Sequence, residues 1–254
     1  MNQILVTQKL YITPELKRKK KIYKLYFVLS IFLICVLISL GIFAEYDKNK
    51  AEEMSQEILE EFNERQEEVN NVIQDTTIAK NNILIVVLDD VEENINEEEY
   101  EELEISTPQI EKQTTNQGYK YTTIARIEIP KINVNYPILD GETDSVEETD
   151  ALLKMSPTKF WGPNPNEVGN FCIVGHNYRN KKFFSKVPTL VNGDLIHITD
   201  SEGKMLKYSV YDKYEVIPED LSCTTQLTNG KKEITLITCT DDSKKRVIVK
   251  AREI

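Results

Sequence analysis

The run from Leu25 to Ala44 constrains the fold of this chain more than any other segment, because its twenty residues carry no charge. An α-helix of that length spans roughly 30 Å, the thickness of the hydrocarbon core of a bilayer. A single segment in lipid can satisfy its backbone hydrogen bonds only as a helix. The sequence therefore predicts a membrane-spanning helix over residues 25–44.

The charges on the two sides of this run predict its orientation. Residues 1–24 contain seven Lys/Arg and one acidic residue, Glu15, whereas Asp and Glu dominate after residue 44. The positive-inside rule places a basic tail, residues 1–24, in the cytoplasm and residues 45–254 outside the cell. A cleaved signal peptide is the alternative. The apolar run is longer than a usual signal-peptide core, and its end at Ala44 is a poor cleavage site, so we expect an uncleaved single-pass anchor.

Residues 45–118 are strongly acidic, with 22 Asp/Glu against five Lys/Arg. Apolar residues fall near helical spacing in the first part of this segment, which predicts an amphipathic helix in an extracellular stalk or linker; they are Met54, Ile58, Phe62, Val69 and Ile73. The acid-rich run 92–104 is typical of a solvated spacer, and a lid over an active site is the alternative.

Residues 119–254 have the composition of a globular domain rich in turns. Eight of the nine glycines lie from residue 118 onward, and seven of the nine prolines lie from residue 130 onward. Short apolar runs predict strands near 124–129, 134–139, 170–174, 195–199, 206–216, 233–238 and 246–251, with a short helix over 145–153. This pattern predicts a mostly β fold, a closed or partly closed barrel. The domain holds 19 charges of each sign, so no basic face remains for nucleic acid.

Cys239 is the candidate nucleophile among four cysteines, because it follows a run of β-formers and stands at the mouth of a predicted hairpin. Cys35 lies in the apolar run, and Cys172 lies within an apolar strand, where a cysteine acts as a small hydrophobic residue. Cys223 has no basic neighbour in the sequence. Arg246 follows Cys239 on the return strand and can favour its thiolate.

Two choices of residue complete the candidate site. A hairpin brings Arg246 beside Cys239, whereas Arg252 lies six residues further on, roughly 20 Å away at 3.3 Å per residue. His176 follows Gly175 at the end of a predicted strand, where functional residues concentrate, whereas His197 lies in mid-strand. We therefore favour Arg246 over Arg252 as the site arginine, and His176 over His197 as the site histidine.

A thiol, an imidazole and a guanidinium at strand ends can together perform acyl transfer. The thiolate attacks a carbonyl carbon, and the resulting oxyanion needs donors that are already in place. Arginine is permanently charged and offers several N–H groups for this purpose. Histidine can then protonate the leaving amine. This chemistry needs no cofactor, and we single out no set of metal ligands.

Four segments resemble signatures of the sortase family, in the family's order. Thr235-Leu236-Ile237-Thr238-Cys239 resembles the TLxTC signature, and Gly175-His176 resembles the histidine motif. Arg246 in Lys245–Val249 resembles the family's arginine, and Ile127–Ile132 resembles its opening strand. The resemblance covers about residues 120–254.

The resemblance implies a closed eight-stranded β-barrel and a cysteine transpeptidase on the outer face of a Gram-positive membrane. Such enzymes cleave a C-terminal sorting signal of surface proteins, commonly LPxTG-like, through a thioester on the cysteine. An amine then resolves the thioester, usually one on a cell-wall precursor peptide. The resemblance gives Cys239 the role of nucleophile, His176 that of general acid and base, and Arg246 that of the clamp on substrate and oxyanion.

The subclass and the function each have alternatives. We find no C-terminal membrane segment and no Asp-Pro-aromatic lid motif, which favours a class B-like or D-like sortase over a pilus-assembling class C enzyme. A papain-like cysteine hydrolase is one rival function, although that fold places its cysteine at the start of a helix. A non-catalytic anchored interaction module is the other, and it predicts that Cys239 is dispensable.

Overall fold

The computed structural model describes residues 14–87, 112–115, 117–143 and 145–254. The acid-rich run 92–104 lies outside these residues. The chain divides into two compact units, Met1–Asn49 and Lys50–Ile254.

A long helix, α1, runs from Pro14 to Val87 and contains the charge-free run in helical form. An 18-residue window within it has a mean hydropathy of 2.9, and none of that window is buried. By length and composition, this helix can cross a membrane. The helix predicted over residues 25–44 is therefore confirmed as a candidate membrane span.

Nine strands, a short helix, α2 (Val146–Leu153), and three single-turn 3-10 helices form the rest of the described fold. The strands β1 to β9 are Gln113–Thr114, Lys120–Ile129, Val134–Gly141, Thr158–Trp161, Gly169–Val174, Leu195–Asp200, Met205–Val216, Lys232–Cys239 and Arg246–Glu253. The Ser145 hydroxyl caps α2 by accepting a hydrogen bond from the Glu148 amide. The sequence did not predict β4, because four residues are too short a run to show alternation.

Eight of these strands close into a barrel, which confirms the predicted fold class. The order is β2-β3-β4-β5-β8-β9-β7-β6, and pairing of β6 with β2 closes the ring, while β1 only extends β2. Alternate residues of β2, β3 and β5 to β9 point inward and form one apolar core, as expected when successive side chains of a strand point to opposite faces. On β8 the inward residues are Ile234 and Leu236, so Thr235, Ile237 and Cys239 share the outer face.

One parallel pair of neighbours determines where the site lies. β5 and β8 run parallel in the sheet, with Val174 opposite Ile237. Parallel strands end at the same edge of a sheet. The residues that follow β5 and the residue that ends β8 therefore meet at one end of the barrel.

The amphipathic part of α1 packs on the barrel, a partner that the sequence analysis did not identify when it assigned residues 45–118 to a stalk or linker. Ile58 and Leu59 are at most 5% exposed and Phe62 is 3% exposed. The Ser55 hydroxyl meets that of Ser156 at 2.9 Å, in a fully buried contact. The apolar stripe has the period of a helix whether it meets a second helix, a sheet or solvent, so the pattern alone could not identify its partner.

Candidate active site

Cys239 and Arg246 are in contact at the mouth of the β8–β9 hairpin. They are paired across the two strands, and Arg246 Nη1 lies 3.2 Å from Cys239 Sγ. A tight turn at residues 240–245 closes the hairpin through a bond from the Thr240 amide to the Lys245 carbonyl. This is the geometry that the hairpin argument predicts, and it places a fixed positive charge against the sulfur.

His176 stands two residues beyond the end of β5, as Cys239 stands two residues beyond Ile237, the partner of Val174. The backbone around the histidine is bound to β8 on both sides. The Thr238 hydroxyl donates to the Gly175 carbonyl at 2.8 Å, and the Asn177 side-chain amide donates to the Cys239 carbonyl at 3.0 Å. The parallel pairing thus holds the histidine next to the cysteine in register.

The environment of His176 favours the neutral imidazole. Burial lowers its pKa below the usual 6.5, and the positive charges of Lys154 and Arg246 act in the same direction. The carboxylate of Asp150 on α2 opposes them. A histidine of lowered pKa can accept and return a proton near neutral pH, which suits a general acid and base.

The lowered pKa of His176 predicts a pH dependence of stability. The unfolded chain binds a proton at His176 more tightly than the folded one, so protonation of His176 favours unfolding. The contribution of the neutral imidazole to the free energy of unfolding is complete above about pH 6.5 and is lost as pH falls through the folded pKa. We expect the urea midpoint to fall more between about pH 7.5 and pH 5 in the wild type than in His176→Gln. Equal slopes in the two proteins would show that His176 is not buried in its neutral form.

The other cysteines are unsuited to nucleophilic attack. Cys172 is fully buried, and burial raises its pKa to about 12. Cys223 is 2% exposed, and burial raises its pKa also. Cys35 is exposed in the apolar part of α1. Cys239 is partly exposed and is the cysteine that contacts a guanidinium.

The rejected arginine and histidine have other positions. Arg252 binds the Glu233 carboxylate at 2.6 Å and lies over the Tyr211 ring at 4.6 Å, six residues along β9 from Arg246. His197 lies in the middle of β6, which pairs with β2 and β7 rather than with β5 or β8. Neither is brought to the Cys239 end of the barrel.

A groove of about 260 Å³ borders Arg246 on the outer face of the barrel. Its walls are mainly apolar and come from α2, from four strands and from the segment before β8; they include Leu153, Phe160, Val174, Leu221, Ile237 and Ile248. A larger cavity, about 530 Å³, is lined by Trp161, Gly169 and Gln226, among others. Gly169 begins β5, so this cavity lies at the end of the strand away from His176. The smaller groove is therefore the one that borders a residue in contact with Cys239, namely Arg246.

Several residues of this site were not singled out from the sequence. Asn177 joins the two halves of the site, because its amide also donates to the Asp241 carboxylate at 3.0 Å. Arg179 adds a second link through a 2.7 Å bond to the Ser243 hydroxyl. Their partners lie more than sixty residues away in the chain, so no local pattern indicates them.

Three comparisons identify what this chain is similar to. The family model of the sortase domain matches residues 127–254. Sortase A of Bacillus anthracis is 34% identical over 136 residues, which are 51% of this chain and 59% of that protein. Sortase A of Streptococcus agalactiae serotype III (strain NEM316) is 28% identical over 148 residues, which are 58% of this chain and 59% of that protein. The chain therefore spans less than two thirds of the length of these curated relatives.

Two solved structures are among those similar to this chain. The sortase D5 transpeptidase of Clostridium perfringens is 32% identical, and the match covers 52% of this chain and 79% of that one with a TM-score of 0.45. Sortase A of Corynebacterium diphtheriae is 30% identical over 52% of this chain and 60% of that one, with a TM-score of 0.45.

Proposed function

The chain belongs to the sortase family, and from this premise we propose that it is a membrane-anchored cysteine transpeptidase. The observation that carries the proposal is the contact of Arg246 Nη1 with Cys239 Sγ at 3.2 Å, beside the loop that holds His176. A papain-like hydrolase is disfavoured, because Cys239 ends a strand rather than starting a helix.

The proposed reaction begins when the neutral imidazole of His176 takes the thiol proton of Cys239, which gives a thiolate and an imidazolium. The thiolate attacks the carbonyl carbon of a peptide bond in a C-terminal sorting signal, and Arg246 stabilises the oxyanion that forms. His176 donates a proton to the leaving amine as the carbon–nitrogen bond breaks, which leaves the substrate as a thioester. An acceptor amine then attacks the thioester, His176 takes its proton, and the sulfur leaves as thiolate.

The groove beside Arg246 supports an LPxTG-like signal as substrate. An extended peptide needs an apolar wall for its Leu and Pro side chains and a polar end for the scissile carbonyl. The lining of the groove combines apolar side chains such as Ile237 and Ile248 with Arg246. We propose surface proteins bearing such signals as substrates and an amine of a cell-wall precursor as acceptor.

The proposed location is the outer face of the cell membrane. The apolar part of α1 would anchor the protein, with the basic residues 17–24 in the cytoplasm and residues 119–254 as an extracellular catalytic domain. An anchored enzyme suits a substrate that is itself tethered at the same surface. Limited proteolysis of intact protoplasts would test this topology, because only the extracellular side is accessible.

The activity is tested with the full-length protein in detergent micelles, a panel of sorting-signal peptides and a small amine. We expect mass spectrometry to detect a thioester on Cys239 that converts to an amine-linked peptide. If the peptide is only hydrolysed, at a rate that does not depend on the amine concentration, the protein is a hydrolase. Absence of any adduct, with Cys239 still reactive toward a thiol probe, would favour an interaction module.

A further inference from the structure

The loop that follows β5, residues 176–184, is closed on itself; we call it the histidine loop. The Phe184 amide donates to the His176 carbonyl at 3.1 Å, and Asn177 forms a β-bridge with Phe183. Asn177 and Arg179 tie one side of the loop to the hairpin that carries Cys239. The orientation of the imidazole therefore depends on how the whole loop is held.

A column of aromatic rings supports the imidazole from the other side. The His176 ring lies 5.0 Å from that of Tyr178, and Tyr178 meets the edge of Phe183 at 5.5 Å. Phe183 is 1% exposed and stacks on Tyr136 of β3 at 4.9 Å, with 14° between the planes. Contacts between aromatic rings have preferred geometries, so the position of the imidazole depends, through Tyr178 and Phe183, on the position of Tyr136.

The hydroxyl of Tyr136 connects this column to α1. It accepts a hydrogen bond from the Phe183 amide at 3.2 Å and donates to a Glu52 carboxylate oxygen at 3.4 Å. Burial raises the pKa of Tyr136 to about 12, so the hydroxyl keeps the proton that it donates. Glu52 also forms an ion pair with Lys182, inside the histidine loop. One residue of α1 therefore contacts the loop by two routes.

We propose that Glu52 of α1, acting with Tyr136, is a positioning residue that sets the orientation of His176. The helix that leaves the apolar segment would then be part of the catalytic apparatus as well as a tether. This inference rests on the proposed function, in which the imidazole must reach both the sulfur and the leaving amine. A displacement of about 1 Å in such a group can lower a rate by about 100-fold.

A general structural role of α1 is the simpler explanation, and the chain offers a matched control for it. Glu61 lies nine residues further along the same helix and accepts a hydrogen bond from the side chain of Gln113. Gln113 belongs to β1, which pairs with β2 and lies outside the closed ring. Glu61→Ala therefore removes a helix–sheet contact of the same kind without touching the histidine loop.

The experiment compares Glu52→Ala, Glu61→Ala and the wild type as full-length proteins. We expect Glu52→Ala to speed hydrogen exchange in the peptide covering residues 177–184 and to lower kcat/KM about tenfold, with the loss in kcat rather than KM. We expect Glu61→Ala to leave both quantities unchanged. Glu52→Gln, which can still accept from Tyr136, should recover part of the rate.

Each outcome separates this inference from the proposed function. If the two alanine variants show equal exchange in residues 177–184, Glu52 does not hold the loop and the inference is wrong. It is also wrong if the loop loosens in Glu52→Ala while kcat stays at the wild-type value. If the wild type forms no acyl-enzyme, the proposed function fails instead, and the exchange data still decide whether Glu52 holds the loop.

Discussion

Replacing Cys239 by alanine is expected to remove the thioester and to lower the rate of amine-linked product at least about 1,000-fold, as loss of a nucleophile does in enzymes with covalent intermediates. The physical reason is that no other described thiol combines exposure with a cation. Cys239 touches Arg246, whereas Cys172 is buried with a pKa raised to about 12. Intact-mass spectrometry after incubation with the peptide panel measures the adduct, and chromatography measures the product.

Cys172→Ala is the matched control for this change. Its side chain is fully buried behind the groove, in the cluster with Ile237 and Ile248, so we expect lower stability but an unchanged adduct on Cys239. If Cys239→Ala retained the protein's function in cells, the non-catalytic interaction module would be the better explanation. If the adduct moved to another cysteine, the nucleophile would have been assigned wrongly.

The part of the site that sequence reasoning could predict is the part that is local in the chain. Cys239 and Arg246 are separated by six residues in a hairpin. The turn between the two strands and the alternation of side chains along each strand are therefore enough to bring them together. His176 lies more than sixty residues upstream. Its place beside Cys239 depends on the parallel pairing of β5 with β8, which the residue pattern did not predict. The resemblance to a known family named His176 but not this pairing.

The parts that the sequence could not predict depend on long-range partners. The amphipathic stripe of α1 predicted a helix, but the surface it packs on is formed by residues such as Tyr121 and Leu152, which are distant in the chain. The same holds for Tyr136, which was assigned only to a strand. The role of its hydroxyl depends on its hydrogen bonds to Phe183 and Glu52, which only the folded structure brings together.

Arg246→Lys is expected to lower kcat/KM at least about 100-fold even though the charge is retained. Arginine offers five N–H groups in a rigid fork, so it can contact the sulfur and still donate to an oxyanion, whereas lysine is a point charge on a flexible stem. Removing one oxyanion donor typically costs 10²–10³ in rate, or about 2.7–4 kcal/mol. Steady-state kinetics on the best peptide of the panel, with Arg246→Lys beside the wild type, measures this loss.

Arg252→Lys provides the control within the same strand. Arg252 uses Nε and Nη2 to bind Glu233, at 2.9 and 2.6 Å, and this contact lies at the far end of β9 from the sulfur. We therefore expect Arg252→Lys to keep kcat/KM within about threefold of the wild type, since it retains the charge beside the buried Glu233 and changes a contact that is remote from the sulfur. An active Arg246→Lys together with an inactive Arg252→Ala would overturn the hairpin argument. It would mean that Arg252, six residues along β9 from Arg246, matters more than the arginine that touches the sulfur.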